Sequence, residues 1–231
     1  MHCVIFDLDG TLLDTMEDIR HAINYALVAF DGSRISGDEC RRFVGHGLRK
    51  ALQNAVASHV PELRDDGEFE LMYSLLMGYY RNHPSDYATP YEGVDELLSS
   101  LRDKGIKIGV LSNKRDELVK AIVKAKFPDI PFAFVQGQVD SLPLKPDKRA
   151  FDYALSAMHE SADDAVYIGD SEVDFTTAEN AGVARIIVSY GFRSEEELKS
   201  AGISSISHVP SYEEIEIAAC EYAKKRNCHI S

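Results

Sequence analysis

What the chain has little of narrows it first. Its 231 residues hold four cysteines, Cys3, Cys40, Cys220 and Cys228, and no two form a C-x-x-C pair. Neither a disulfide framework nor a zinc site is expected, and the thiols are read as free. No apolar stretch is long enough to span a bilayer. The N-terminus runs straight into HCVIFDLDG with no basic region or cleavage site before it, so a reducing cytoplasm is the expected location. Positive charge is scarce: 25 Lys and Arg against 38 Asp and Glu leave a net −13. So acidic a surface repels nucleic acid and anionic membrane, and neither is expected as a partner. An anionic substrate would need a local cationic site or a metal. There is no internal repeat and no low-complexity segment.

What is there divides into two patterns. HCVIFDL reads as a short buried strand. From about residue 16 to 86 every segment with apolar periodicity is helical: MEDIRHAINYALVAF, GDECRRFVG with Ser36 and Glu39 as a capping box, GLRKALQNAVASHV, and EFELMYSLLMGYYRNH. In the last of these Met72 and Met77, with Tyr73, Tyr79 and Tyr80, read as core of this helical part. After TPY at 89–91 strands and helices alternate: helix GVDELLSSLRDKG, strand IKIGVLSN, helix KRDELVKAIVKAK, strand PFAFVQG, helix PDKRAFDYALSAMH, strand DAVYIGD, helix SEVDFTTAENAG, strand VARIIVSYG. A short helix SEEELKSAG, a last short strand ISHV and a terminal helix SYEEIEIAACEYAKKR complete the chain. Strands that are continuous apolar runs separated by helices belong to a parallel sheet covered on both faces. The expected fold is therefore α/β, a doubly wound parallel sheet formed by residues 1–15 and 88–231, with an all-helical domain at 16–87 inserted after the first strand. Thr15 and the TPY segment are the expected hinges. Such an insert would sit above the carboxyl ends of the strands, where open α/β sheets bind ligands.

The residues at those strand ends carry chemistry. Asp7 ends the first strand, with Asp9 just beyond; KIGVL is followed by Ser112 and Asn113; DAVYI leads to Gly169 and Asp170, with Asp174 four residues on; and LPLKPD places Lys145 just before a helix start. Two carboxylates one residue apart repel, and something positive must offset that. Asp7, Asp9 and Asp170 are hard oxygen donors, few enough to leave water on the ion, which suits Mg²⁺. Lys145 adds a second positive charge. Ser112, backbone N–H groups and a helix N-terminus can hold phosphate oxygens. Phosphoryl transfer needs little else, and a carboxylate can be its nucleophile. In blander terms, Ser112 reads as a helix N-cap and Asp174 as an acid in a helix first turn.

DLDGTLLDT, LSNK, LKPD and GDSEVD, in this order, resemble the four motifs of the haloacid dehalogenase superfamily of phosphatases. GDSEVDFTTAENAG and TPYEGVDELLSSLRDKGIKIGVLSNK extend the resemblance, which covers essentially the whole chain if the helical insert is that family's cap. The resemblance implies Asp7 as nucleophile and Asp9 as the acid that protonates the leaving oxygen and then activates water. It implies Asp7, Asp170 and the backbone carbonyl of Asp9 as Mg²⁺ ligands, and Asp174 as an outer metal carboxylate. Ser112 and Asn113 would bind the transferring group, Lys145 would balance its charge, and Gly10 and Thr11 would form the turn that lets the cap open and close.

The resemblance also ranks the reactions. Phosphonate hydrolases of this superfamily carry Ala where Asp9 stands and use a cap lysine; Lys50 is a cap lysine, but Asp9 counts against that chemistry. Sugar phosphomutases with this cap carry a His where Ile19 stands, and His21 is two positions off. Hydrolysis of a small phosphorylated metabolite is the expectation, and the overall look is that of the phosphoglycolate phosphatases and their relatives, with pyrophosphate among the other candidate substrates. In FVGHGLRKAL two glycines bracket His46, and Arg49 and Lys50 follow, so these two cations are expected to meet a substrate carboxylate. A receiver-like signalling module also gathers acids, a Ser and a Lys at such strand ends; the helical insert and the Asp9-Gly10-Thr11 run oppose it. The chain is expected to act as a monomer or homodimer.

Overall fold

The computed structural model describes residues 1–60 and 65–228, the side chains of 227 and 228 apart. The chain forms two compact units, Asp14–Thr89 and the remainder. These limits fall two residues outside the expected 16–87 at each end.

The chain opens with β1 (Cys3–Phe6), every residue of which is buried. Two-residue strands β2 (Leu13–Asp14) and β3 (Thr89–Pro90) pair with each other where the chain passes between units. The helical unit consists of α1 (Met16–Val28), α2 (Gly37–Phe43), α3 (Leu48–His59) and α4 (Asp66–Asn82). Ser36 and Glu39 form the expected capping box on α2, each satisfying the other's backbone N–H. Asn24 of α1 fastens the following loop by bonding both the N–H and C=O of Ile35. On α4, Met72, Met77 and Tyr80 are buried, whereas Tyr79 stacks at the surface between Tyr25 and His83.

The other unit continues with α5 (Val94–Asp103), β4 (Lys107–Arg115), α6 (Asp116–Lys126), β5 (Phe132–Gln138), α7 (Lys148–Met158), β6 (Ala165–Gly169), α8 (Glu172–Ala181), β7 (Ala184–Ile187), α9 (Glu195–Ser200) and α10 (Tyr212–Cys228). Its five-stranded sheet has the order β5-β4-β1-β6-β7, with all paired neighbours parallel. The α/β doubly wound class expected from the alternation is thus the fold observed. The chain winds outward from β1 through β4 and β5, then returns to the far side for β6 and β7, so β1 stands at the switch point. Apolar side chains such as Ile5, Leu111, Phe151, Ala154 and Tyr167 fill the layer under the sheet.

Two local readings differ. β4 extends two residues past Asn113, and α6 begins at Asp116 rather than Lys114. Pairing of Arg115 with Gln138 of β5 outweighs the helix-forming character of KRDELV. The segment ISHV is no strand: Ile206 alone bridges to Val188, and Pro210 follows. Among the described residues Cys3, Cys40 and Cys220 are free; Cys228's thiol lies outside them. Burial pushes the Cys3 and Cys40 thiols up to about 12, leaving both unreactive at neutral pH. No described helix is long and apolar enough to cross a membrane.

Candidate active site

Parallel pairing of β4, β1 and β6 brings three chain segments to the same sheet edge, because parallel strands end together. Asp7 follows β1, Asp170 follows β6, and Ser112 and Asn113 lie in the last half of β4. The Asp7 N–H donates to the Ile168 carbonyl at 2.9 Å, which locks the nucleophile candidate to the neighbouring strand.

Asp7 Oδ1 accepts the Leu8 N–H at 2.7 Å and meets the Lys145 ammonium at 3.0 Å. Burial pushes the Asp7 carboxyl up to about 7, against the pull of Lys145 and with Asp174 and Asp9 adding to the rise. Asp170 is pushed well up, first by burial and then by the charges of Asp174 and Asp7, although Phe192 donates its N–H to Oδ2 at 2.7 Å. Glycines close around this carboxylate. A Cβ on Gly191 would fall 2.6 Å from Asp170 Oδ2, and one on Gly10, whose φ is +82°, would overlap it outright. Gly10 is therefore needed for space as well as for its turn. Beside it Thr11 is buried, its carbonyl accepting the Tyr190 hydroxyl at 3.0 Å and its own Oγ1 without a partner among the described residues.

Lys145 is held at both ends. Its N–H donates to Asn113 Oδ1 at 2.8 Å, and its carbonyl accepts from Asn113 Nδ2 at 3.1 Å. Asn113, expected on the transferring group, thus has its side-chain amide occupied by the Lys145 backbone. The ammonium donates to Tyr167 Oη and Asp174 Oδ1, each at 2.8 Å, besides its contact with Asp7. Burial opposes the charge on Lys145, but the Asp174 and Asp7 carboxylates outweigh it and raise its pKa. Ser112 is buried, with Oγ accepting the Lys114 N–H at 3.3 Å.

Asp174 has both oxygens engaged. Oδ1 takes Lys145 and Tyr167; Oδ2 takes the N–H groups of Asp170 (3.2 Å) and Ser171 (3.1 Å) and the Ser171 hydroxyl (2.5 Å). Burial raises its pKa, yet Lys145 and these hydrogen bonds prevail and hold it below the usual carboxylate range. The acid is also in the first turn of α8, where Ser171 and Asp174 form a capping box, so the bland reading and the functional one describe the same side chain.

The donor set fits a hard divalent cation. Asp7, Asp170 and Asp174 each place a carboxylate oxygen within 4.8 Å of the others. Asp170 and Asp174 are buried and Asp7 partly so, one ammonium serves Asp7 and Asp174, and Asp7 and Asp170 are pushed up, so positive charge is what the cluster is short of. Asp7 and Asp170 fit as direct ligands. Asp174, filled by five donors, fits the outer role, orienting Asp170 through its backbone N–H.

Two site side chains carry no clear local signal. Lys114 ends LSNK, and its place at the head of KRDELVKAIVKAK points to a helix start; in β4 it is instead buried, and its ammonium lies 2.7 Å from Asp9 Oδ1. Tyr167 reads in sequence as one more apolar residue of a buried strand, and no local signal marks its hydroxyl. In the helical unit, Arg49 binds Glu70 through two hydrogen bonds (2.7 and 2.6 Å) and lies 4.6 Å above the Tyr73 ring. Its guanidinium is therefore already committed within that unit, whereas Lys50 is exposed.

A family model described as haloacid dehalogenase-like hydrolase matches residues 4–188. A phosphoglycolate phosphatase of Caulobacter vibrioides is 33% identical over 205 residues, 89% of this chain and 86% of its own length. One from Mesorhizobium japonicum is 30% identical, covering 89% of this chain and 90% of its own. Among solved structures, a predicted phosphoglycolate phosphatase from Haemophilus somnus aligns with a TM-score of 0.81 at 26% identity, over 89% of this chain and 93% of that one. CbbY from Rhodobacter sphaeroides, solved in complex with phosphate, aligns with a TM-score of 0.78 over 94% and 99% of the two chains; at 19% identity it supports the fold alone.

Proposed function

The chain belongs to the haloacid dehalogenase-like hydrolases, as a phosphoric monoester hydrolase, and on that premise we propose that it is a Mg²⁺-dependent phosphatase of small phosphorylated metabolites, with phosphoglycolate the favoured substrate. The observation that carries this reading is the Lys145 ammonium held 3.0 Å from Asp7 in a cluster of three acids, two of them buried. It is a nucleophile beside a fixed cation, with two further acids for a metal.

Asp7 attacks phosphorus, the bond from phosphorus to the ester oxygen breaks, and Asp9 gives that oxygen its proton. The aspartyl phosphate on Asp7 is then attacked by water. Asp9 takes the water's proton, inorganic phosphate leaves, and Asp7 is restored. Ser112 holds a phosphoryl oxygen and Lys145 balances the charge; the N–H groups of Gly10 and Thr11, by contrast, are taken by the carbonyls of Leu13 (2.9 Å) and Leu8 (3.3 Å). Asp7, Asp170 and the Asp9 carbonyl would hold Mg²⁺, which supplies charge neutralisation for nucleophile and phosphate.

Phosphate release from a panel of phosphorus compounds tests the reading: the esters phosphoglycolate, sugar phosphates and nucleotides, the anhydride pyrophosphate and the phosphonate phosphonoacetaldehyde, each with Mg²⁺ and with EDTA. Turnover with Mg²⁺ that EDTA abolishes, with phosphoglycolate first in kcat/KM, is the expected result. Stable phosphate on Asp7 without ester turnover would replace the enzyme by a signalling module.

The two cap cations are separable in the same assay. Arg49 is already paired with Glu70, so Arg49→Ala is expected to raise KM for phosphoglycolate no more than about two-fold, and Lys50→Ala about ten-fold. Equal, unchanged KM values would remove both residues from substrate recognition.

A further inference from the structure

We infer that Tyr167 is a positioning residue that fixes the Lys145 ammonium toward Asp7; the inference rests on the phosphatase reading for what Lys145 does. A lysine ammonium carries three N–H donors. Those of Lys145 have three acceptors within reach: Tyr167 Oη at 2.8 Å, Asp174 Oδ1 at 2.8 Å and Asp7 Oδ1 at 3.0 Å. The Tyr167 hydroxyl donates in turn to Asp174 Oδ1 at 2.8 Å, closing a ring of three groups. The two hydrogen bonds to Tyr167 and Asp174 fix the ammonium, and in that position Nζ lies 3.0 Å from Asp7 Oδ1 as an ion pair. Asn113 clamps the Lys145 backbone, so the tether is fixed as well.

The plain alternative is a core tyrosine. The ring does pack as one, edge-on to Phe151 at 5.2 Å and fully buried. A phenylalanine would fill that space equally well. The hydroxyl adds nothing to the packing, and its partners are both charged groups of the site. Removing it orphans one buried N–H of Lys145 and frees the ammonium to turn toward Asp174, away from Asp7.

Tyr167→Phe is therefore the test, on the Mg²⁺-loaded protein, with two readouts that packing alone would not move. Inorganic phosphate affinity by calorimetry is expected to weaken about ten-fold in Tyr167→Phe, and the effect should vanish when Lys145→Met is already present. Equal loss in both backgrounds, or wild-type affinity in the single variant, overturns the inference. A crystal structure of Tyr167→Phe is the second readout: Lys145 Nζ is expected beyond hydrogen-bond reach of Asp7, and Nζ unmoved at its present distance overturns the inference as well. Neither readout uses turnover. A wild-type chain that cleaves no ester would thus remove the phosphatase reading, while the coupling of Tyr167 to Lys145 still decides this one.

Discussion

Asp7→Asn is expected to lower kcat by about four orders of magnitude or more while the fold is kept, because the substitution removes the attacking oxygen and little else. Oδ1 of Asp7 accepts from Leu8 and Lys145, and the amide oxygen of asparagine can accept both. What is lost is one negative charge from a cluster where burial has already pushed Asp7 up to about 7. An acid raised in the folded state costs nothing while protonated in both states, at low pH. Its penalty grows as pH climbs from its ordinary value of 3.8 toward 7, and is complete above that. In EDTA at pH 8 the variant should therefore melt no lower than wild type, and the wild-type decline between about pH 4 and pH 7 should flatten. In Mg²⁺ the order should reverse, because the variant has lost a ligand. Thermal melts across pH, with and without metal, check this beside the kinetics. A variant that turns over at more than about a hundredth of the wild-type rate would remove Asp7 from the nucleophile's role.

The centre of the sheet is legible because β1 and β6 are buried on both faces: CVIF and AVYIG are runs without alternation, as a covered parallel strand requires. Asp7 and Asp170 could be placed from the strands that end just before them. Legibility failed where the deciding contact is remote in sequence. Lys114 sits at a strand end only because Arg115 pairs with Gln138, and its partner Asp9 is 105 residues away. Tyr167 and Asn113 owe their roles to Lys145, 22 and 32 residues from them. Arg49 looked available as a substrate cation, since nothing near it in sequence announces Glu70, 21 positions on and across a helix pair. ISHV failed for the converse reason: it has strand-forming residues but bridges its neighbour at Ile206 only. Local pattern thus located the groups that do chemistry, and missed those that hold them.

Lys145→Met is expected to cost about 3–5 kcal/mol of stability in the metal-free protein, a fall in Tm of about 10 °C. The methionine can fill the volume but leaves Asp174 and Asp7 buried without their cation. Asp174 carries most of this. It is fully buried, and burial alone would raise its pKa; Lys145, with Ser171 and Tyr167, keeps it below 3.8 instead. In wild type the Asp174 contribution is present above pH 3.8 and is lost as pH falls through its lower folded value. Without Lys145 burial dominates, and the folded variant gains protons on acidification before the unfolded chain does. The stability gap between wild type and Lys145→Met should therefore be widest near neutral pH and narrow as pH falls toward 4. Mg²⁺ should narrow it too, by returning positive charge to the same acids. Denaturant melts at a series of pH values measure the gap directly. A gap that is absent at pH 7, or that widens on acidification, would mean that Asp174 does not depend on Lys145 for its charge. The site's electrostatics would then have to be carried by the Ser171 and backbone donors alone.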